Sequence, residues 1–177
     1  MITLKTLTKK DGNIFLISSI FLLLINFILP IIKYISLNTS VYDLGIYLNS
    51  LYNIGHNKIY SIAFEGHYEP ILIPISFIYK LFDYDVFGVL SILIIQTASI
   101  FSIGIYFLFK KKYMISLLFF IYFPATYINL FDFHTDSFAI IFYLLFLVNI
   151  TSKNTIISVI FLFILCSVKE IYALIAV

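Results

Sequence analysis

No charged side chain stands between Asp85 and Lys110, where the run Val86–Phe109 reads VFGVLSILIIQTASIFSIGIYFLF. About 20 apolar residues are enough for a helix to cross the roughly 30 Å hydrocarbon core of a bilayer. Four further segments, 14–35, 113–131, 137–152 and 154–177, are apolar in the same continuous way. The chain is therefore expected to be an all-α integral membrane protein, a single multispan domain over residues 1–177 with about five transmembrane helices. Backbone groups in lipid must be satisfied inside helices or closed barrels, and these runs do not alternate as barrel strands do. Composition agrees. The chain is 62% hydrophobic and 11% charged, against roughly 25% charged in soluble domains. A net charge of +2 points away from nucleic acid and leaves the bilayer as the expected partner. Cys166, alone in an apolar run, allows no disulfide and reads as a small buried hydrophobe.

The first apolar segment follows Lys9 and Lys10 and lacks a small-x-small cleavage site, so it reads as a retained anchor. The segment Pro70–Phe82, PILIPISFIYKLF, is short and carries Pro70 and Pro74. A run of that length suits an interfacial or re-entrant segment better than a span. Every basic residue is a lysine. With Pro70–Phe82 left unspanned, Lys5, Lys9, Lys10, Lys110, Lys111, Lys112 and Lys153 fall on the N-terminal side, and the positive-inside bias makes that side cytoplasmic. The expected location is the cell membrane, multi-pass, with a cytoplasmic amino terminus and an outer loop over 36–85. That topology also gathers Asp43, Glu65, Glu69, Asp83, Asp85, Asp132 and Asp136 outside, together with His56, His67 and His134. Lys169 and Glu170 interrupt the last span. Fifteen residues of rise from Asn154 put Lys169 roughly 22 Å into the core, near the outer face. Ionisable residues in a span mark function by default; the alternative is that the two snorkel outward or pair with each other.

Within the outer loop, Leu44, Tyr47, Leu48, Leu51, Tyr52 and Ile54 recur at helical spacing. Ser40 is placed to cap, Asp43 lies three residues on, and Gly55 stops the run. This predicts an amphipathic helix along the membrane surface, either functional through Asp43 or simply a surface helix whose aspartate serves the helix dipole. Two short clusters alternate ionisable groups: Glu65, His67 and Glu69, and Asp132, His134 and Asp136. In an extended chain each set shares one face. Carboxylates with imidazole suit a divalent cation such as Mn²⁺, Mg²⁺ or Zn²⁺; a solvated polar rim is the other reading. Asn38–Ser40 matches the short N-glycosylation pattern.

The order of YDLGIYLNSLYNIGHNKIY, HYEPILIPISFIYKLFDYDVFG, a span ending in KKK, FPATYINLFDFHTDSF and CSVKE resembles the family of bacterial and archaeal membrane proteins called domain of unknown function 2079. The resemblance covers Tyr42–Val177. That family in turn resembles the C-type (GT-C) glycosyltransferases, which take a sugar from a polyprenyl-phosphate carrier. The resemblance implies that Asp43 is the acidic residue of the first outer loop and that Pro70–Phe82 is the proline-rich segment before the second span. It also implies that Asp132 or Asp136 is the second acidic site. The expected site is then Asp43 as catalytic base, His67, Glu69, Lys169 and Glu170 toward substrate, and Asp132, His134 and Asp136 toward a cation. Family members carry further spans, so by the same resemblance this chain is a C-terminally truncated piece, with a larger membrane partner as one expectation. Two other classes stay open: a transporter or ion-binding membrane protein that uses Lys169 and Glu170, and a non-catalytic subunit or remnant.

Overall fold

A computed structural model describes residues 9–39, 41–58 and 67–175, and among these it is entirely helical. The first helix, α1, runs Lys9–Ile35 and is about 40 Å long at 1.5 Å per residue. Its pattern is inverted relative to a soluble helix. Ile14, Ile17, Phe21, Leu24, Ile28, Ile32 and Ile35, spaced by three and four, face outward. Ser19 and Asn26 are buried on the opposite face, with Lys33 seven residues further on. A helix that is greasy outside and polar inside is at home in lipid.

Those three polar side chains bind the segment that packs along α1. That segment is a bent pair, α6 (Tyr113–Phe120) and α7 (Phe123–Leu130), kinked by 48°. Ser19 donates to the Tyr113 carbonyl, Asn26 to that of Phe120 and Lys33 to that of Leu130. The segment therefore climbs parallel to α1. The kink has a cause in Pro124, which lacks the N–H that would bond the Phe120 carbonyl four residues back. Asn26 Nδ2 fills that vacancy at 3.0 Å. The exchange is reciprocal: Pro30 inside α1 frees the Asn26 carbonyl, and Asn129 Nδ2 donates to it at 2.8 Å. Two prolines each leave a carbonyl in the apolar interior, and two asparagines supply the missing donors.

The run at 86–109 is also bent, by 63°, into α4 (Val86–Ile100) and α5 (Ser102–Phe109). The bend lies at Phe101, whose fully buried ring packs against Phe120. Gly104 permits the close approach of α5 to α6. A methyl group there would lie 2.5 Å from the Phe120 ring, and the Ser116 hydroxyl uses the Gly104 carbonyl. Helix α8 (Ser137–Thr151) then packs against α4 and α5 and forms an antiparallel hairpin with α9 (Thr155–Cys166).

The segment 36–85 supplies α2 (Val41–Gly55) and α3 (Leu72–Leu81). The stripe expected on α2 is present, but it is not spread on a bilayer: Leu44, Leu51 and Ile54 are buried against α3, in one core with Ile75, Tyr79, Val89 and Ile92. The capping residue Ser40 and Glu65 lie outside the described residues. Helix α3 has 10 residues, about 15 Å of rise, too short to span.

One described helix, over Asp11–Ile35, is long and apolar enough to cross a membrane, and three segments qualify if each bent pair counts as one. The expected last span, 154–177, is not continuous. It stops at Cys166, turns through Ser167–Lys169 and restarts as α10 (Glu170–Ile175). The turn has its own anchor, because the Ser167 carbonyl accepts the Ile71 N–H from just before α3.

Candidate functional site

Loop 131–136, between α7 and α8, is the centre of a polar layer at the carboxyl-terminal end of α1. Helix α7 ends with the Phe131 N–H on the Ile128 carbonyl, and Asp132 then takes a left-handed backbone at φ 85°. Asp and Asn tolerate that region better than other side-chain-bearing residues. The turn swings the Asp132 carboxylate onto Lys33 Nζ at 2.7 Å, while the same ammonium holds the Leu130 carbonyl. From the other side Gln96, wholly buried in α4, clamps the loop backbone. Its Nε2 donates to the Asp132 carbonyl and its Oε1 accepts the His134 N–H, both at 2.8 Å.

The second half of the loop faces different partners. Thr135 donates to Glu69 Oε1 at 2.9 Å, and the Tyr47 hydroxyl from α2 lies 3.5 Å from both groups. Glu69 is buried. Burial pushes its carboxyl above the usual glutamate range, against the opposing pull of the Thr135 hydrogen bond and the Lys169 charge. Asp136 receives Lys169 Nζ at 3.2 Å and the Tyr172 hydroxyl at 3.0 Å. Lys169 also reaches to 3.9 Å from Glu69. At the rim, Glu170 takes His67 Nδ1 at 2.9 Å and the Tyr68 N–H at 3.0 Å.

The fold thus brings seven of the residues singled out in sequence into one connected layer: His67, Glu69, Asp132, His134, Asp136, Lys169 and Glu170. Asp43, half-buried in the first turn of α2, shares a cleft with Lys33 and Asp132. Three expectations drawn from spacing are corrected. Asp132, His134 and Asp136 do not share a face, because the chain turns rather than extends there. Asp132 goes to Lys33, Asp136 goes to Lys169 and Tyr172, and the His134 ring sits between Phe131 and Tyr47. Among the described residues no three His, Cys, Asp or Glu side chains are placed to hold a metal ion. His67 and Glu69 likewise part, one at the surface and one buried. Lys169 and Glu170 do not pair with each other, and Lys169 stands in a turn beyond the end of α9 rather than inside a helix.

The sequence pattern does not single out Gln96, Thr135, Tyr172 or Lys33 as site residues, and it places Tyr47 only in the apolar stripe of α2. Gln96 carried a signal: it is the lone amide side chain in the Val86–Phe109 run, and a polar group inside a span marks an internal partner.

Three cavities adjoin along this layer. A cleft of about 370 Å³ is lined by Asp43, Lys33, Asp132, Tyr127 and Phe131. Tyr127 and Phe131 also wall a recess of about 540 Å³ that holds His134, Asp136, Ser137 and Tyr172. Asp136, Ile140 and Tyr172 are shared in turn with an apolar groove of about 440 Å³, whose other walls include Tyr143, Phe146, Leu162 and Leu165 of α8 and α9.

The family model described as "Predicted membrane protein (DUF2079)" matches residues 33–177. The match covers most of the chain, and the protein belongs to that family. No curated protein and no solved structure matches it.

Proposed function

We propose that this DUF2079 member is a GT-C-like membrane transferase that moves a sugar from a polyprenyl-phosphate donor to an acceptor at the extracytoplasmic face. The observation that carries this reading is the order of the three cavities: a carboxylate-bearing cleft, a mixed recess and an apolar groove, adjoining in sequence. A lipid-linked donor has the same order of parts. Its isoprenoid chain suits the groove on α8 and α9, its phosphate falls toward Lys169 at the end of that groove, and its sugar extends through the recess toward Asp43.

In the reaction the acceptor hydroxyl oxygen forms a bond to the anomeric carbon. The bond from that carbon to the carrier phosphate oxygen breaks, and the phosphate leaves with the electron pair. Asp43 accepts the acceptor's proton. Lys169 offsets the charge on the departing phosphate; the carboxylates of Glu69 and Asp136 hold its ammonium in place. His67 and Glu170 tie the outer loop across the mouth of the site.

The topology that goes with this function has five crossings, with the amino terminus in the cytoplasm: α1, the two bent pairs, α8, and α9 with α10. The direction of the chain supports it. The turns at Lys110–Lys112 and at Ser152–Asn154 lie away from the polar layer, toward the amino-terminal end of α1, where a positive-inside bias wants lysines. Helices α8 and α9, at 15 and 12 residues, rise only about 22 and 18 Å, so the polar layer would dip into the outer part of the hydrocarbon core, with the bilayer thinned around it.

The test is transfer of labelled sugar from polyprenyl-phosphate sugars in proteoliposomes. Asp43→Asn is expected to lower the rate by roughly 10²–10⁴, the usual contribution of a general base. Unchanged transfer at equal protein levels removes Asp43 from the mechanism. No transfer by the parent chain from any of a panel of such donors overturns the reading.

A further inference from the structure

The middle recess differs from its two neighbours in what lines it. Three rings form a ladder along one wall. Tyr127 and Phe131 have centroids 6.2 Å apart at 33°, and Phe131 and His134 are 5.5 Å apart at 22°, stacked. The Tyr127 and Phe131 faces are exposed. Beside them is the Asp136 carboxylate, part-exposed and fixed in orientation by Tyr172 and Lys169. His134 Nε2 and the hydroxyl of the buried Ser137 stand in the same wall with no hydrogen-bond partner among the described residues. Lys169 is not among the lining residues.

Each feature excludes something. A plain hydrocarbon chain would strip water from the half-exposed Asp136 carboxylate and leave His134 Nε2 and the Ser137 hydroxyl unmatched, at a cost of roughly 1–3 kcal/mol for each unmade hydrogen bond. The adjoining apolar groove offers such a chain far better walls. A phosphate would meet a carboxylate and no lining cation. What fits is a neutral ring with a flat C–H face for the aromatic ladder and hydroxyl donors for the carboxylate. The volume, about 540 Å³, falls within the roughly 300–1,000 Å³ of small-molecule sites.

We infer that the recess at Tyr127, Phe131, His134, Asp136 and Ser137 is a carbohydrate subsite, in which an uncharged sugar ring stacks on Tyr127–Phe131–His134 and donates hydroxyl hydrogens to Asp136. This deepens the transferase reading and rests on it for what becomes of the sugar, though binding can be measured without transfer. The His134 ring and the Ser137 hydroxyl, both in the cavity lining, complete the polar contacts once a ring is seated.

The experiment uses the full chain in lipid nanodiscs and photoreactive alkyl glycosides (glucoside, galactoside, mannoside and arabinoside) carrying a diazirine next to the sugar. The controls are an alkanol and an alkyl phosphate of the same chain length and the same diazirine position. At least one glycoside is expected to label peptides covering 127–140, at least tenfold above both controls. Phe131→Ala and Asp136→Asn are each expected to lower that labelling about tenfold while the thermal midpoint stays near the parent value. Phe131→Leu, which keeps bulk and loses the ring, serves if Phe131→Ala does not fold. Equal labelling by the alkanol or alkyl phosphate, indifference to both substitutions, or labelling by none of the four glycosides overturns the subsite. Labelling without transfer from any donor refutes the transferase and spares the subsite. Transfer without labelling does the reverse.

Discussion

Lys33–Asp132 and Lys169–Asp136 pair the same two residue types across one short loop, yet they are built for different work. In the first pair the aspartate side chain is 3% exposed and the lysine 25%, and the lysine is further tied to the Leu130 carbonyl. Gln96 fixes the aspartate's backbone from the other side. In the second pair the aspartate is 42% exposed, the lysine sits in a turn, and the lysine is divided between Asp136 and Glu69 at 3.2 and 3.9 Å. The aspartate opens onto two cavities. Both pairs border cavities, but a carboxylate that is almost wholly covered holds a loop in shape, while one that is half open and shares its lysine with a second carboxylate can respond to a ligand. The first pair is the fixed wall of the Asp43 cleft, and the second has room to move.

Breaking the more covered pair gives the largest expected effect. Lys33→Met leaves the Asp132 carboxylate buried without its lysine and should cost roughly 3–5 kcal/mol, the range for breaking a buried pair from one side. Adding Asp132→Asn should recover much of that loss. Thermal unfolding in nanodiscs reads both; a silent Lys33→Met would erase the distinction between the pairs. Next comes the asparagine exchange that holds α1 to α6 and α7. Asn26→Leu leaves the Phe120 carbonyl without its donor and should cost about 1–3 kcal/mol, as should Asn129→Leu at the Asn26 carbonyl.

Glu69 sharpens the comparison through pH. Its folded-state carboxyl holds its proton more tightly than the unfolded one, with burial as the leading cause. The folded state therefore binds more protons, and stability falls as pH rises from the unfolded pKa through the folded one. A melting series across the range just above ordinary glutamate titration should show that decline, and Glu69→Gln should flatten it. The smallest effect on stability belongs to the open pair. Asp136→Asn keeps an acceptor for Tyr172 and should change stability by no more than about 1 kcal/mol, as half-exposed ion pairs do. The same substitution should depress sugar labelling, so a large stability loss with labelling intact would reverse the assignment of roles.

Much of this was legible in the residues. Continuous apolar runs predicted helices, and the short clusters around Glu69 and Asp132–Asp136 named residues that meet in one polar layer. Period-two spacing misled at Asp132–Asp136 because side chains alternate only in extended backbone, and the left-handed turn at Asp132 cannot be inferred from alternation. The break after Cys166 was invisible for a related reason. Nothing between Ser167 and Glu170 forbids a helix; the turn is held by a hydrogen bond from Ile71, almost a hundred positions earlier. Pro30 and Pro124 announced where carbonyls would go unmatched, but only three dimensions showed that each is answered by an asparagine from the other's segment.

The inward stripe of α1 sets a schedule for the protein's birth. The carbonyls of Tyr113, Phe120 and Leu130 lie 94, 94 and 97 positions downstream of Ser19, Asn26 and Lys33. At a ribosome's pace of about 5–20 residues per second, the partner segment follows roughly 5–20 s later. Through that wait an amide and an ammonium must shelter at the translocon's lateral gate or in a holding chaperone. The mature contact is the release of a debt incurred early in translation.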